Sequence, residues 1–404
     1  MRFLRIFSRV IIGLLFIFSG CTKAIDPVGF GFVMTEYLKA LGLDFLCPLA
    51  VTGGILMSAF EFVLGVSILV GLQLRLASIF SMFFMLFFTF FTLWIAIYNP
   101  VHHCGCFGDA VILSNWATFY KNLIFTPLTV LLFVQRKHFP PISFKIREWG
   151  AMVMFGMASV LLSLHGYRHL PLIDFTGFKV GNHIPEAMTD KRQYETVFTY
   201  KKGAETKTFT LAHLPDSTWT YHDHKNLVTG VAPQIVGFEI SAYQENRYVT
   251  DSVLSIKGPL LVLTVPYAEK ANAKAVEKAD ALYRQVAENT NIPMMVLSGT
   301  PEEGTKQWGM ATPVYFSDPK TLYTMVRANP GLMLWYDANV VAKWSAYDIP
   351  SYPQLARILD QDWEVVSAKS SITEHLSVEF LAVILMIVLA VCYPVFRRHV
   401  SKRP

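Results

Sequence analysis

Charge is what this chain has least of. Of its 404 residues only 16% are charged, while 53% are hydrophobic. Soluble domains carry about 25% charged residues, which excludes a wholly water-soluble chain. The deficit is uneven: the first 165 residues are mostly apolar, and residues 167–375 have an ordinary soluble mixture. Cysteine is scarce as well. There are five, and none lies between Tyr167 and His375, so thiol chemistry is excluded from that polar segment. The formal net charge of +5 is small and forms no basic stripe, so nothing points to nucleic acid as a partner. There is no inverted repeat, and polar residues inside the apolar stretches are few, which gives a small-molecule transporter little support.

Long apolar runs are what the chain does have. A helix needs roughly 20 apolar residues to cross a hydrocarbon core. Six stretches qualify: 5–19, 49–72, 76–98, 116–134, 149–164 and 378–396. The expected architecture is an α-helical membrane bundle of about six transmembrane helices carrying an α/β domain on one side. The domain division is a four-helix bundle at 1–136, a link and fifth helix at 137–166, the soluble domain at 167–376, and a last helix with a basic tail at 377–404.

Lys and Arg set the orientation, because short cytoplasmic loops are enriched in them. Arg2, Arg5 and Arg9, then Arg75, then Arg136, Lys137, Lys145 and Arg147, and finally Arg397, Arg398, Lys402 and Arg403 fall on one side if there are six spans. Both termini are then cytoplasmic in a bacterial inner membrane. The soluble domain lies outside, in the periplasm of a Gram-negative cell. The run Phe18-Ser19-Gly20-Cys21 also resembles a lipoprotein signal ending in a lipidated cysteine, although Phe18 suits that motif poorly.

Four of the five cysteines fall on the outer side: Cys21, Cys47, Cys104 and Cys106. Cys392 lies within the last span and reads as a small hydrophobe. The periplasm is oxidising, so this grouping points to redox chemistry or structural bridges. The densest motif is Asn99-Pro100-Val101-His102-His103-Cys104-Gly105-Cys106-Phe107-Gly108-Asp109. Two cysteines one residue apart can form only a strained, easily reduced bridge, and a protonated histidine beside them favours the thiolate. Cys104 and Cys106 are therefore candidate thiol–disulfide exchange residues, with Cys21 and Cys47 as resolving or bridging partners. A bridge from Cys21 to Cys47, or from either to the 104–106 region, is the structural alternative, since connectivity cannot be read from spacing. Zinc ligation by the two histidines and two cysteines is possible in ligand type, but so short a loop crowds the ligands, and no metal is assigned.

Glu61 is the other candidate. A carboxylate inside a span is costly and normally faces the bundle interior or a cavity. It reads as a proton carrier, a contact for a membrane quinone, or a packing acid hydrogen-bonded to a neighbouring helix. Lys121 reads as a residue whose ammonium group reaches outward to the membrane surface.

The apolar four-span pattern, Glu61-Phe62, the Cys104-Gly105-Cys106-Phe107-Gly108-Asp109 loop and Asn115-Trp116 resemble the MauE/DoxX-like membrane family over roughly residues 1–136. MauE-type proteins are associated with maturing disulfides in a periplasmic dehydrogenase, and DoxX-type proteins with a quinone-reducing complex. The resemblance implies thiol or quinone redox work; no substrate is carried over.

In the outer segment, short β-rich runs at 196–200, 206–211 and 235–240 precede a sharper order. Residues 260–265 read as a buried strand and 271–288 as a helix with Ala275, Ala279, Leu282 and Val286 on one face. Residues 293–297 read as a strand parallel to the first. Residues 313–316 read as a strand, 320–327 as helical, and 331–335 and 340–344 as strands. This order resembles a periplasmic thioredoxin-like domain, with Val180-Gly181-Asn182-His183-Ile184-Pro185 as its opening segment and Asn329-Pro330-Gly331 where that family places a cis-proline. The redox motif of that family is missing: Pro266-Tyr267-Ala268-Glu269-Lys270 stands in its place, without a cysteine. Such a copy implies a binding or scaffolding module, with Tyr267 and Pro330 as candidate binding residues; the plainer reading is that Pro330 only shapes the core. His222, Asp223 and His224 read as a solvated loop. Whole chains of this design resemble inner-membrane proteins of Bacteroides-type bacteria.

The functional expectation is an integral membrane component of thiol–disulfide or quinone-linked electron transfer, its outer domain recruiting a periplasmic or membrane protein. The alternative is a non-enzymatic envelope assembly or interaction protein whose cysteines only brace loops.

Overall fold

The computed structural model describes residues 2–101, 105–139, 145–203, 205–242, 247–300, 312–370 and 372. His102, His103, Cys104, Cys392 and the expected last span at 378–396 lie outside the described residues.

Among the described residues, five helical segments are long and apolar enough to cross a membrane: Phe3–Ile25, Asp44–Gly71, Leu74–Tyr98, Asn115–Val134 and Lys145–Arg168. They contain α1 (Arg2–Ile25), α3 (Ala50–Val66), α4 (Leu74–Tyr98), α5 (Asn115–Val134) and α6 (Lys145–Arg168). The bundle is thus built from the first five of the expected spans. One difference matters for everything that follows. The first helix does not stop at residue 19; it continues to Ile25, and a second helix, α2 (Pro27–Ala40), starts two residues later. Asp26 makes that junction. Its side chain accepts a hydrogen bond from Gly29 N at 2.8 Å, and Pro27, which has no N–H to lose, takes the first helical position.

Helices α1 and α3 run antiparallel at close range because small residues line their contact. A Cβ built on Gly13 would meet Leu69 at 2.8 Å, one on Gly65 would meet Ile17 N at 2.5 Å, and one on Gly20 would meet Phe62 N at 2.6 Å. Backbones that near each other leave no room for a side chain, and this is how helices pack in lipid, where burial of apolar surface between helices gives no driving force. On the opposite side of the bundle from the soluble domain, Arg9 of α1 donates to the Ile68 and Leu69 carbonyls, at 2.8 and 3.0 Å. Those carbonyls belong to a π-turn, Ser67–Gly71, that continues α3.

The domain expected on the outer side begins where α6 ends. A three-stranded antiparallel sheet, β1 (Gln193–Lys202), β2 (Glu205–Thr210) and β3 (Thr220–Thr229), has the order β2-β1-β3. His222, Asp223 and His224 lie on β3 rather than in a loop, and Tyr221 Oη bonds His224 Nδ1 at 2.8 Å. Residues 235–240 are not a strand. They are an irregular segment that seats Ile235, Phe238 and Ile240 in the core.

The larger sheet has seven strands: β4 (Ser241–Ala242), β5 (Arg247–Tyr248), β6 (Pro259–Val265), β7 (Met294–Ser298), β8 (Val314–Phe316), β9 (Gly331–Tyr336) and β10 (Asn339–Trp344). Their order is β10-β9-β6-β7-β8-β4-β5. Strands β6 and β7 are parallel, and β9 is antiparallel to both β6 and β10. Strand β6 reads as an unbroken apolar run because both its faces are covered: Leu260 and Val262 join Phe178, Phe238 and Trp335 in one core cluster, while Leu261, Leu263 and Val265 join Leu282, Tyr283 and Leu355 in the other. The helix between β6 and β7, Ala273–Asn289, buries Ala275, Ala279, Leu282 and Val286, the positions its periodicity predicted. The helix Pro319–Met325 precedes β9, and the Asn329–Pro330 bond between them is cis.

The α1–α3 contact yields a direct test. Gly65→Val should lower the thermal midpoint of the detergent-solubilised protein, by a cost of about 1–3 kcal/mol for overpacking. Gly53→Ala should leave the midpoint unchanged or raise it, since a Cβ there meets nothing within 4 Å.

Candidate functional site

The site forms where α1 outlasts its expected end. The extra turn carries Lys23, which is only 3% exposed and faces Glu61 of α3, itself 2% exposed. Lys23 Nζ donates to both carboxylate oxygens, at 2.8 and 2.6 Å, and to Ser19 Oγ at 2.9 Å. The Ser19 hydroxyl donates in turn to the Cys106 carbonyl at 2.9 Å. All three ammonium protons are thereby used, and a hydrogen-bonded chain runs from the acid of α3 through α1 to the cysteine loop. The Phe30 ring closes over Lys23, 5.1 Å from Nζ.

This chain borders a cavity of about 260 Å³ inside the bundle. Aromatic walls come from Phe16, Tyr37, Phe84, Phe88 and Phe91, and polar groups converge from Lys23, Glu61, Lys121 and Asn122. Gly105, Cys106 and Phe107 form its outer wall. Lys121 Nζ sits 4.2 Å from the Phe107 ring centre, over the cysteine loop. Asn122 donates to Thr92 Oγ1 at 3.2 Å, tying α5 to α4. An apolar cavity with a few convergent polar groups, close to the lower end of the usual 300–1,000 Å³ range, is what small-molecule sites look like.

The remaining cysteines separate. Cys21 packs between α1, α3 and α6 beside Ile17, Val66 and Phe155. Cys47 stands in the 3₁₀ turn Asp44–Leu49 and lines a different cavity. Both are free thiols, so the Cys21–Cys47 bridge that spacing left open is not formed. Cys106 is half-buried at the cavity wall; its expected partner Cys104 is outside the described residues.

The other cavity, about 320 Å³, lies between the bundle and the outer domain, with Thr35 and Cys47 on one side and Tyr267, Tyr323 and Asn329 on the other. Tyr267 and Asn329, the residue before Pro330, are therefore turned toward the bundle. Asn329 Nδ2 donates to Tyr267 O at 2.8 Å. Burial pushes the Tyr323 hydroxyl up to about 12. Beside this cavity Arg327, 6% exposed, donates from Nε to Asp26 Oδ2 at 2.9 Å, from Nη1 to Tyr323 O at 3.1 Å, and from Nη2 to Asp109 Oδ2. Burial acts to lower its pKa, and Asp26, Asp109 and Asp174 overcome that and raise it.

Sequence reasoning singled out Glu61 and Cys106 and missed Lys23, Ser19, Asp26 and Arg327. A signal for Lys23 was present: Phe16, Gly20 and Lys23 follow helical spacing beyond residue 19, and Asp26-Pro27 is a helix-start signature that marks where α1 must already have ended.

These features define a membrane protein with an aromatic cavity, bearing a few polar groups, beside a cysteine loop. Residues 1–135 match the family described as Methylamine utilisation protein MauE. Over that third of the chain the sequence is similar to that family, and its apolar helices fit a membrane protein. Residues 194–229, which hold the small sheet, match a domain of unknown function, DUF8463. No curated protein and no solved structure matches the chain.

The ion pair gives a sharp expectation. Lys23→Met should destabilise the solubilised protein by about 3–5 kcal/mol, because it strands a buried carboxylate. The double change Lys23→Met with Glu61→Leu should recover most of that loss in a thermal melt, since neither charge is left behind.

Proposed function

We propose that this protein is a component of thiol–disulfide or quinone-linked electron transfer at the outer face of a bacterial inner membrane. The bundle is embedded with its soluble domain in the periplasm and both termini in the cytoplasm. The observation that carries the reading is the buried Lys23–Glu61 pair, linked by hydrogen bonds through Ser19 to the backbone of Cys106 and bordering an aromatic cavity. A charge pair is an expensive feature inside a membrane and marks a functional site by default.

In this reading, Cys104 and Cys106 alternate between dithiol and disulfide. A partner protein bearing two thiols is oxidised at the loop, and the loop passes on two electrons and two protons. The aromatic walls and the polar groups Lys121 and Asn122 fit a quinone ring, which would take up those electrons and protons as the acceptor. Glu61 presents its carboxylate at the cavity, where it would take up a proton and pass it on, and Lys23 keeps it oriented. The outer domain is read as thioredoxin-like: the strand order β10-β9-β6-β7 with a helix crossing between parallel β6 and β7 is the arrangement that the resemblance implies. Without cysteines it takes no direct part in exchange.

A second reading, a non-enzymatic envelope assembly or interaction protein whose cysteines only brace loops, draws on the cysteine-free outer domain.

Alkylation trapping of Cys104 and Cys106 in native membranes, with a mass-shift reagent before and after mild reduction, separates the two. Electron transfer predicts a mixed redox state that shifts when respiration is blocked, and Glu61→Gln should abolish the shift. A pair locked in one state under every condition would leave only the assembly reading.

A further inference from the structure

The contacts around Arg327 assign the outer domain a role within its own chain. Arg327 follows the helix Pro319–Met325, and its guanidinium lies inside the bundle's outer surface. Two of its N–H groups bond two acids from different parts of the bundle. Asp26 caps α2 just beyond the helix that carries Lys23; Asp109 closes the turn that carries Cys106. Gly29 makes the approach possible, for a Cβ there would stand 2.8 Å from Arg327 Nη2 and 2.3 Å from Asp26 Oδ2. Around this centre the Phe32 and Tyr323 rings meet at 4.8 Å, Lys320 pairs with Glu36, and His169 Nδ1 contacts Asp348 at 2.9 Å.

The loop is gripped from both ends of its turn. Cys106 is held from within the bundle by Ser19, and Asp109 is held from the outer domain by Arg327. Gly105, Cys106 and Phe107, between and beside those two anchors, are the outer wall of the intramembrane cavity. The face around Tyr267 and Asn329, meanwhile, looks across a cavity onto the bundle.

We propose that the outer domain is an intramolecular clamp, with Arg327 as the positioning residue that holds the Cys106 loop closed over the cavity. Its partner is the bundle of the same chain, and the clamp stands whether the cysteines cycle or only brace the loop. Arginine suits the role because its planar fork reaches two carboxylates at once, which a lysine ammonium on one flexible stem does not reproduce.

Hydrogen exchange of the full-length protein in lipid nanodiscs tests this without any activity. Arg327→Gln and Asp109→Asn should each speed exchange in residues 105–110 by about ten-fold, the signature of local opening, while β6 and β9 keep their protection. Arg327→Lys should fall between wild type and Arg327→Gln. Asp109→Asn leaves the Arg327–Asp26 contact in place, so it decides the matter if Arg327→Gln unfolds the outer domain. Unchanged exchange of 105–110 in Asp109→Asn, or a rise shared equally by β6 and β9 in that variant, would overturn the clamp.

Discussion

A lysine and a glutamate placed within a membrane bundle have to find each other. Either charge alone in hydrocarbon is strongly unfavourable, whereas the pair, with Ser19 taking the remaining ammonium proton, is fully hydrogen-bonded. That requirement sets the register of α1 against α3. Gly13, Gly20 and Gly65 let the two backbones approach until Lys23 Nζ lies between the two oxygens of Glu61. The cavity, the cysteine loop and the contact with the outer domain are all arranged around this antiparallel pair. The aromatic residues of α4 line one side of the cavity, Lys121 of α5 and the loop's Phe107 close it, and Asp26, three residues past Lys23, is the point where the outer domain attaches.

The outer domain has the two-sided core of a covered mixed sheet, and both of its apolar clusters are built from its own residues. What it contributes to the membrane unit is polar and specific. Arg327 is desolvated, satisfied by Asp26, Asp109 and a backbone carbonyl, and held protonated by the surrounding acids. Desolvated, forked contacts of this kind fix geometry more than they add stability. A domain that has no thiols can in this way still govern the position of a thiol in another part of the chain.

Much of the scaffold was legible from local pattern. Five of the six spans read from hydropathy are helices among the described residues, because a helix in lipid must satisfy its own backbone and therefore announces itself as a continuous apolar run. The strand–helix–strand order from residue 259 onward was legible for a similar reason, each element carrying its own periodicity. The failures were at edges and in exposed structure. Helix α1 was ended at Ser19 because Ser19, Gly20, Thr22 and Lys23 lower the apolar average, although the Asp26-Pro27 cap marked a later boundary. Strand β3 was missed because its His222-Asp223-His224 centre is solvent-exposed and lacks the alternation of a half-buried strand. Residues 235–240 alternate like a strand yet are irregular, since their apolar side chains fill a core without pairing their backbone.

The division between the two sources of order follows from the range of the forces involved. By itself the sequence determined that the chain lives in a membrane, that its polar segment is free of cysteine, that a carboxylate sits inside a span, and that a helix joins two parallel strands. Each of these depends on composition or on neighbours a few residues apart. Only the tertiary structure decided that Glu61 pairs with Lys23, 38 positions away, and that Arg327 grips Asp26 across 301 positions and Asp109 across 218. Those pairings depend on how closely α1 and α3 can approach and on which face of the outer domain meets the bundle. Both are properties of packed surfaces, and no window of local sequence contains them.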